Sequence, residues 1–247
     1  FPGTNCEWDT AQAFEREGAE AEILVFNNLS IENIEKSIVK LEAAIRNAQI
    51  LVFPGGFSLG DEPDGSGKFI ANVIRNPKIS SAIEYMLSEN DGLILGICNG
   101  FQALIKTGLL PYGQISKLDE NSPTLTYNNN GRHIARIVET KGITLNSPWL
   151  NGLDLEDVYK VPVSHGEGRF VCNEENYKKL VENDQVAFVY GDNPNGSAYN
   201  IEGIISPCGK ILGKMAHTER IDSRLYKNIP DIIEQPIIKS GVDYFRK

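Results

Sequence analysis

The 247-residue sequence predicts an α/β fold: an open, mostly parallel sheet with helices on both faces and some antiparallel strands in the C-terminal half. Three observations point there. Apolar runs such as Gln49-Ile50-Leu51-Val52-Phe53 and Gly92-Leu93-Ile94-Leu95 are short and unbroken, as strands covered on both faces are. Between them lie helical patterns, clearest where Ile31, Ile34, Ile38, Leu41 and Ile45 recur three and four apart. Later runs, Thr124-Leu125-Thr126-Tyr127 and His133 to Val138, alternate like half-exposed strands.

In chain order, Asn5 is placed to cap a helix through about Arg16, with Trp8, Ala11 and Phe14 toward the core and Gly18 past its end. Ile23-Leu24-Val25-Phe26 reads as a doubly buried strand, and Ser30 starts the amphipathic helix, whose apolar face is core. The strand through Phe53 runs into Pro54-Gly55-Gly56-Phe57, and the polar loop Glu62 to Gly67 follows. Ile83, Met86 and Leu87 mark a covering helix before the strand at Leu93. Beyond it a short helix ends at Gly108, Asn128 to Gly131 form a turn, and an apolar strand leads into Ser164 to Arg169. Val186 to Tyr190 and Ile201 to Ile205 form a hairpin pair joined by Asn193-Pro194-Asn195-Gly196, and Ile211 to Met215 is the last strand. Residues 221–247 are a C-terminal tail of the same domain, and 1–247 reads as one domain with no linker.

A net charge of −9, with acids scattered along the chain, argues against a nucleic-acid partner. No apolar run has membrane-spanning length and no secretory signal is visible. Cysteines 6, 98, 172 and 208 have neither metal-ligand spacing nor the density of a disulfide scaffold, which favours a reducing, cytoplasmic setting. Neither a Walker-type loop nor a GxGxxG fingerprint is present, so nothing implies that this chain binds ATP.

The chemistry centres on Gly96-Ile97-Cys98-Asn99-Gly100-Phe101-Gln102. A buried strand turning sharply into a helix lifts one side chain to the sheet edge, and here it is a thiol. Helix-start amides favour a thiolate and can hold an oxyanion. A cysteine nucleophile needs a base and a group to orient it. Of histidines 133, 165 and 217, His217 has Glu219 two residues on, on the same side of an extended segment. His165 and Glu167 share that spacing and form a rival pair, so spacing alone does not decide; His133 reads as structural. Gly55-Gly56 lets a backbone amide approach a substrate oxygen, and the carboxyl-end rule for α/β sheets puts it on the rim that carries Cys98. Gln102 lies one turn from Cys98 on the same face, where its carboxamide can contact an acyl group. Cys6 is either a second reactive thiol or a residue packed near the site.

The elbow, Phe53-Pro54-Gly55-Gly56-Phe57-Ser58-Leu59-Gly60-Asp61, Pro2-Gly3-Thr4-Asn5-Cys6-Glu7, His217-Thr218-Glu219 and Val163 to Phe170 together resemble the triad-type, class I glutamine amidotransferases. More closely they resemble the glutaminase part of phosphoribosylformylglycinamidine synthase, a C–N-bond-forming ligase of purine biosynthesis. The resemblance implies a flavodoxin-like fold with Cys98, His217 and Glu219 as catalytic residues. It further implies an oxyanion hole from the N–H of Asn99 and of Gly55 or Gly56, and glutamine contacts from Phe57, Gln102, Ser164 and His165. No metal or cofactor is implied for this domain. ATP and magnesium belong to a partner synthetase module, which uses the ammonia to convert formylglycinamide ribonucleotide to its amidine. The family has a strand before Pro2-Gly3, so the chain is expected to lack its first strand. Asp61 to Ser66 looks like the long, fused form of the synthase more than the free-standing subunit. The rival readings are a cysteine hydrolase or a glutaminase for another acceptor on the same scaffold, and a catalytically silent partner-binding module.

Overall fold

A computed structural model describes residues 1–58, 66–222 and 225–246. The order is α1 (Glu7–Arg16), α2 (Ile31–Asn47), β1 (Ile50–Phe53), α3 (Lys68–Ile74), α4 (Pro77–Ser88), β2 (Leu93–Ile97), α5 (Asn99–Thr107) and α6 (Leu109–Tyr112). Then come β3 (Thr124–Thr126), β4 (Ile134–Gly142), β5 (Tyr159–His165), β6 (Arg169–Val171), α7 (Glu174–Glu182), β7 (Val186–Tyr190), β8 (Ile201–Ile205), β9 (Ile211–Lys214) and α8 (Ile237–Tyr244).

Seven strands form one sheet in the order β1-β2-β9-β8-β7-β4-β5, while β3 and β6 pair separately. At one end β1, β2 and β9 run parallel; from β9 through β8, β7 and β4 to β5 every pairing is antiparallel. The α/β class and the antiparallel strands of the C-terminal half are as expected, but among the described residues the sheet is mixed and parallel at one end only, the parallel pairings being confined to β1, β2 and β9. The parallel register sets Phe53 beside Gly96 and Ile97 beside Lys214, so the segments that leave β1, β2 and β9 emerge on one rim. Continuous burial of Leu93 to Ile97 explains why that strand reads as an apolar run, and Ile211 to Lys214 beside it is equally buried.

Several local expectations are met. Ser30 caps α2 by accepting the Asn33 N–H at 3.2 Å, Gly108 ends α5 in a left-handed conformation, and α4 covers the approach to β2. Others need correction. The N-cap of α1 is Cys6 and not Asn5, whose Oδ1 instead accepts the Cys6 thiol at 3.3 Å. Ala11 and Phe14 are buried, but Trp8 is 67% exposed because the buried face of α1 runs through residues 10, 11, 13 and 14. Ile23 to Phe26 carries no strand assignment, and Val25 is 79% exposed; among the described residues the segment joins neither sheet. The apolar stripe of α2 is only partly covered, with Ile45 buried and Ile31 exposed. Asn128 to Gly131 do turn, closed by Gly131 N–H to Asn128 O at 2.9 Å, but β3 pairs with β6 and not with β4. Residues 61–65, which carried the likeness to the fused form, lie outside the described residues.

The tail, nearly silent in sequence, forms α8 against the turn at Pro148–Leu150. Gly241 lies so close to the Trp149 ring that a side chain there would collide with it. Among the described residues, no helix is long and apolar enough to cross a membrane.

Candidate active site

Cys98 is the hinge between β2 and α5 and adopts φ 52°, ψ −105°. A left-handed conformation is costly for a residue with a Cβ, of order 1–3 kcal/mol, and persists only where surrounding structure over-determines it. Here it is pinned on both sides: the Cys98 N–H donates to Lys214 O at 2.8 Å, and Cys98 O accepts the Gln102 N–H at 3.0 Å. Gly100 permits the turn, since a Cβ there would collide with the Phe53 backbone at the end of β1. The thiol, 5% exposed, donates toward Ser164 O at 3.8 Å.

His217 arrives from the neighbouring strand. Its N–H donates to Pro162 O at 2.8 Å, and its Nδ1 lies 2.6 Å from Glu219 Oε1, with both side chains buried. The two meet because residues 218–220 curl into a 3-10 turn, not because the segment is extended as the sequence suggested. Burial alone would depress the proton affinity of this imidazole. The carboxylate of Glu219, the charge of Cys98 and hydrogen bonds to the Cys6 and Cys98 sulfurs outweigh it and push the pKa well above 6.5.

Gly55 is where these groups converge. A Cβ on it would stand 2.7 Å from His217 Cε1, 3.0 Å from Cys6 Sγ and 3.3 Å from Cys98 Cβ, so any side chain would wedge Cys98 and His217 apart. Gly56, at φ 124°, bridges to Thr4 and ties the N-terminal motif to this turn. The Phe57 N–H donates to Gly3 O at 3.0 Å, and the Phe57 ring is partly exposed beside His133, with centroids 6.1 Å apart. A small solvent-open cleft is bordered by Asn5, Cys6, Gly56, Phe57, Ser164, His217 and Arg220.

The rival pair does not form. His165 Nδ1 faces Asn128 Oδ1 at 3.1 Å, and Glu167 Oε2 accepts the Ser66 N–H at 3.0 Å. Burial first, then the neighbouring His217 and His133, hold the His165 pKa down to about 4, which leaves that imidazole neutral. Gln102 is buried, but its carboxamide is engaged within the protein: Nε2 donates to Glu167 O and Oε1 accepts Asn99 Nδ2 at 3.2 Å. Its visible work is to bind the elbow helix to the 164–169 loop. His133 is exposed and contacts Ser164 Oγ at 3.0 Å through Nε2, a place on the cleft rim and not in the core.

Sequence reasoning overlooked Arg220. Its Nη2 lies 3.1 Å from Cys6 Sγ and its Nε donates to Asp9 at 3.1 Å, so a cation stands beside the second thiol. Donor atoms of Cys6, His217 and Glu219 lie within 4.8 Å of one another, but the guanidinium at the sulfur and the short His217–Glu219 bond fit a hydrogen-bonded cluster better than a metal centre. The only signal for Arg220 was its place one residue after Glu219.

A family model described as a CobB/CobQ-like glutamine amidotransferase domain matches residues 1–247. The phosphoribosylformylglycinamidine synthase subunit PurQ of Methanococcus maripaludis strain C7 is 35% identical over 274 positions, covering 99% of this chain and 95% of that protein. The subunit of the same name from Campylobacter jejuni is 31% identical, over 92% of this chain and 88% of its own length. Among solved structures, PurLQS from Thermotoga maritima superposes with a TM-score of 0.72 at 26% identity, covering 99% of this chain and 95% of the other. The glutaminase domain of Trypanosoma brucei CTPS with bound acivicin shares the fold, with a TM-score of 0.55 at 14% identity over 95% of this chain and 85% of its own. With an elbow cysteine, a buried histidine–glutamate pair and a full-length family match, the chain belongs to the CobB/CobQ-like glutamine amidotransferases.

Proposed function

We propose that this chain is the glutaminase of a phosphoribosylformylglycinamidine synthase, hydrolysing glutamine to glutamate and ammonia for a synthetase partner. The observation that carries the reading is the convergence of Cys98, His217 and Glu219 around Gly55, at the strand-to-helix elbow of a chain related to PurQ subunits.

In this reading His217 takes the Cys98 thiol proton, and Glu219 stabilises the resulting imidazolium. The sulfur attacks the side-chain carbonyl carbon of glutamine. The tetrahedral oxyanion is held by the N–H of Asn99 and an N–H from Gly55 or Gly56, each such donor being worth roughly a hundredfold in rate. His217 returns the proton to the departing nitrogen, and ammonia leaves with a thioester on Cys98. Water, deprotonated by His217, attacks the thioester; the C–S bond breaks and glutamate leaves. Phe57, Ser164 and the neutral His165 border or support the cleft that receives the substrate. Gln102 acts through Asn99 and Glu167 by holding the cleft walls together.

The ammonia passes to a synthetase module that uses ATP and magnesium to convert formylglycinamide ribonucleotide to its amidine. This domain itself uses no cofactor in the scheme. The test is Cys98→Ser in the assembled enzyme. Glutamine-dependent synthesis should fall by at least about 10³-fold while ammonia-dependent synthesis persists. Equal loss of both would argue for a structural module and against an amide donor.

A further inference from the structure

Beneath the triad lies a pair of opposite charges. Lys214, the last residue of β9, and Glu202, in β8, are both 0% exposed, with Nζ and Oε1 3.4 Å apart. Two charges in a sheet interior lose their hydration, and an apolar pair of similar volume is often as stable or more so. Stability is therefore a weak reason for the pair to be there.

Its hydrogen bonds supply a better one. Glu202 Oε1 accepts the Ala216 N–H at 2.7 Å, and Lys214 Nζ donates to Ala216 O at 2.9 Å. Both polar groups of the residue before His217 are thus held by side chains, and the Glu202 backbone carbonyl takes the Met215 N–H at 3.1 Å. The same Lys214 that grips Ala216 also accepts the Cys98 N–H through its carbonyl at 2.8 Å. One residue therefore touches the backbones that present both the nucleophile and the base. Charge-assisted bonds of this kind are shorter and stronger than neutral ones, and a small displacement of a catalytic group is expensive in rate.

The surroundings agree. The Lys214 Nζ lies 5.3 Å from the Phe188 ring centroid; burial draws the Lys214 pKa down, and the charges of Glu202 and Glu219 work against that. Tyr190 lies close enough to Glu202 and Cys98 to feel their charges. The polar groups around the pair thus belong to or adjoin the triad.

We propose that the buried Lys214–Glu202 ion pair is the positioning device of the catalytic base, fixing the peptides on either side of Ala216 so that His217 meets Cys98. Neither residue touches substrate; both act through Ala216 and Cys98. The inference rests on the triad reading given above.

The test is the charge-free double variant K214M/E202Q in the assembled enzyme. The carboxamide introduced by E202Q retains an acceptor for the Ala216 N–H, and Ala216 O keeps the Thr218 N–H at 3.2 Å, so no backbone group is orphaned. The expected result is a native fold by circular dichroism, a kcat for glutamine hydrolysis lowered about tenfold to a hundredfold, and a KM for glutamine within about twofold. A purely structural pair would leave kcat in the folded variant within about twofold of the parent, and that result overturns the proposal. Should the double variant not fold, E202Q alone decides: kcat lowered severalfold at unchanged KM supports the device, and unchanged kcat overturns it. C98S is assayed alongside. If C98S still hydrolyses glutamine, the nucleophile assignment falls; if C98S is dead and the folded charge-free variant matches the parent, only the positioning role falls.

Discussion

Two segments of this chain share the pattern His-x-Glu, and they end in opposite states. At 217–219 the imidazole and carboxylate meet at 2.6 Å, and the histidine gains proton affinity. At 165–167 they part: His165 turns to Asn128, Glu167 turns to the Ser66 amide, and the histidine is held to about pKa 4. The difference lies in the backbone beyond each histidine. A 3-10 turn at Thr218–Arg220 curls Glu219 back, whereas the segment after His165 sets the Glu167 carbonyl on Gln102 of the elbow helix and its carboxylate on Ser66. Identical spacing therefore proposes a pair, and local chain direction with nearby charge disposes of it.

The largest expected effect separates the two histidines directly. His217→Asn should lower glutamine-dependent synthesis by roughly 10³- to 10⁴-fold in the assembled enzyme. His165→Asn, assayed beside it near neutral pH, should cost no more than about tenfold. Comparable losses would erase the distinction between them.

A second, smaller effect appears in stability. An unfolded imidazole takes its proton near 6.5, but His165 in the fold resists protonation to about 4. Between those values the unfolded chain binds more protons, so stability falls as pH is lowered through that window, by on the order of 3 kcal/mol. His217, raised in the fold, has the opposite sign: its stabilisation is complete below 6.5 and is lost as pH rises through its folded value. Urea midpoints of the parent and His165→Gln at pH 7 and 4.5 isolate the first contribution. The variant should lose less stability on acidification, and an equal loss in both would refute a buried neutral His165.

The smallest effect concerns the carboxylates. Glu167→Gln keeps an acceptor for Ser66 but loses its charge, which should destabilise by about 1 kcal/mol and change kcat by no more than a fewfold. A loss near that of His217→Asn would mean that Glu167 belongs to the chemistry after all.

Much of this arrangement was legible before folding. The strand β2 announced itself as an apolar run because both of its faces are covered, and the elbow did so because its glycines answer to steric demands of their own neighbours. Ser30 and Gly108 act within a few residues of themselves, so their roles were local and readable. Trp8, Ile23 and Val25 misled for one reason: hydrophobicity shows that a residue is suited to burial, and not that a neighbour arrives to bury it. The Lys214–Glu202 pair was invisible because a charged residue in a strand ordinarily signals a solvated face, and only the partner strand shows otherwise.

From the sequence by itself came the α/β class, the elbow that presents Cys98, and the family to which its motifs point, since each depends on residues close together along the chain. Tertiary structure decided which histidine–glutamate pair closes, and it brought His217, singled out earlier by the family resemblance and not by spacing, beside Cys98 at Gly55. Those outcomes depend on parallel strands β2 and β9 lying side by side, so that residues 98 and 217 leave the same rim. They depend also on burial, which silences one imidazole while a neighbouring carboxylate charges the other. Distance in space and exclusion of water are properties of the assembled sheet, and no spacing along the chain encodes them.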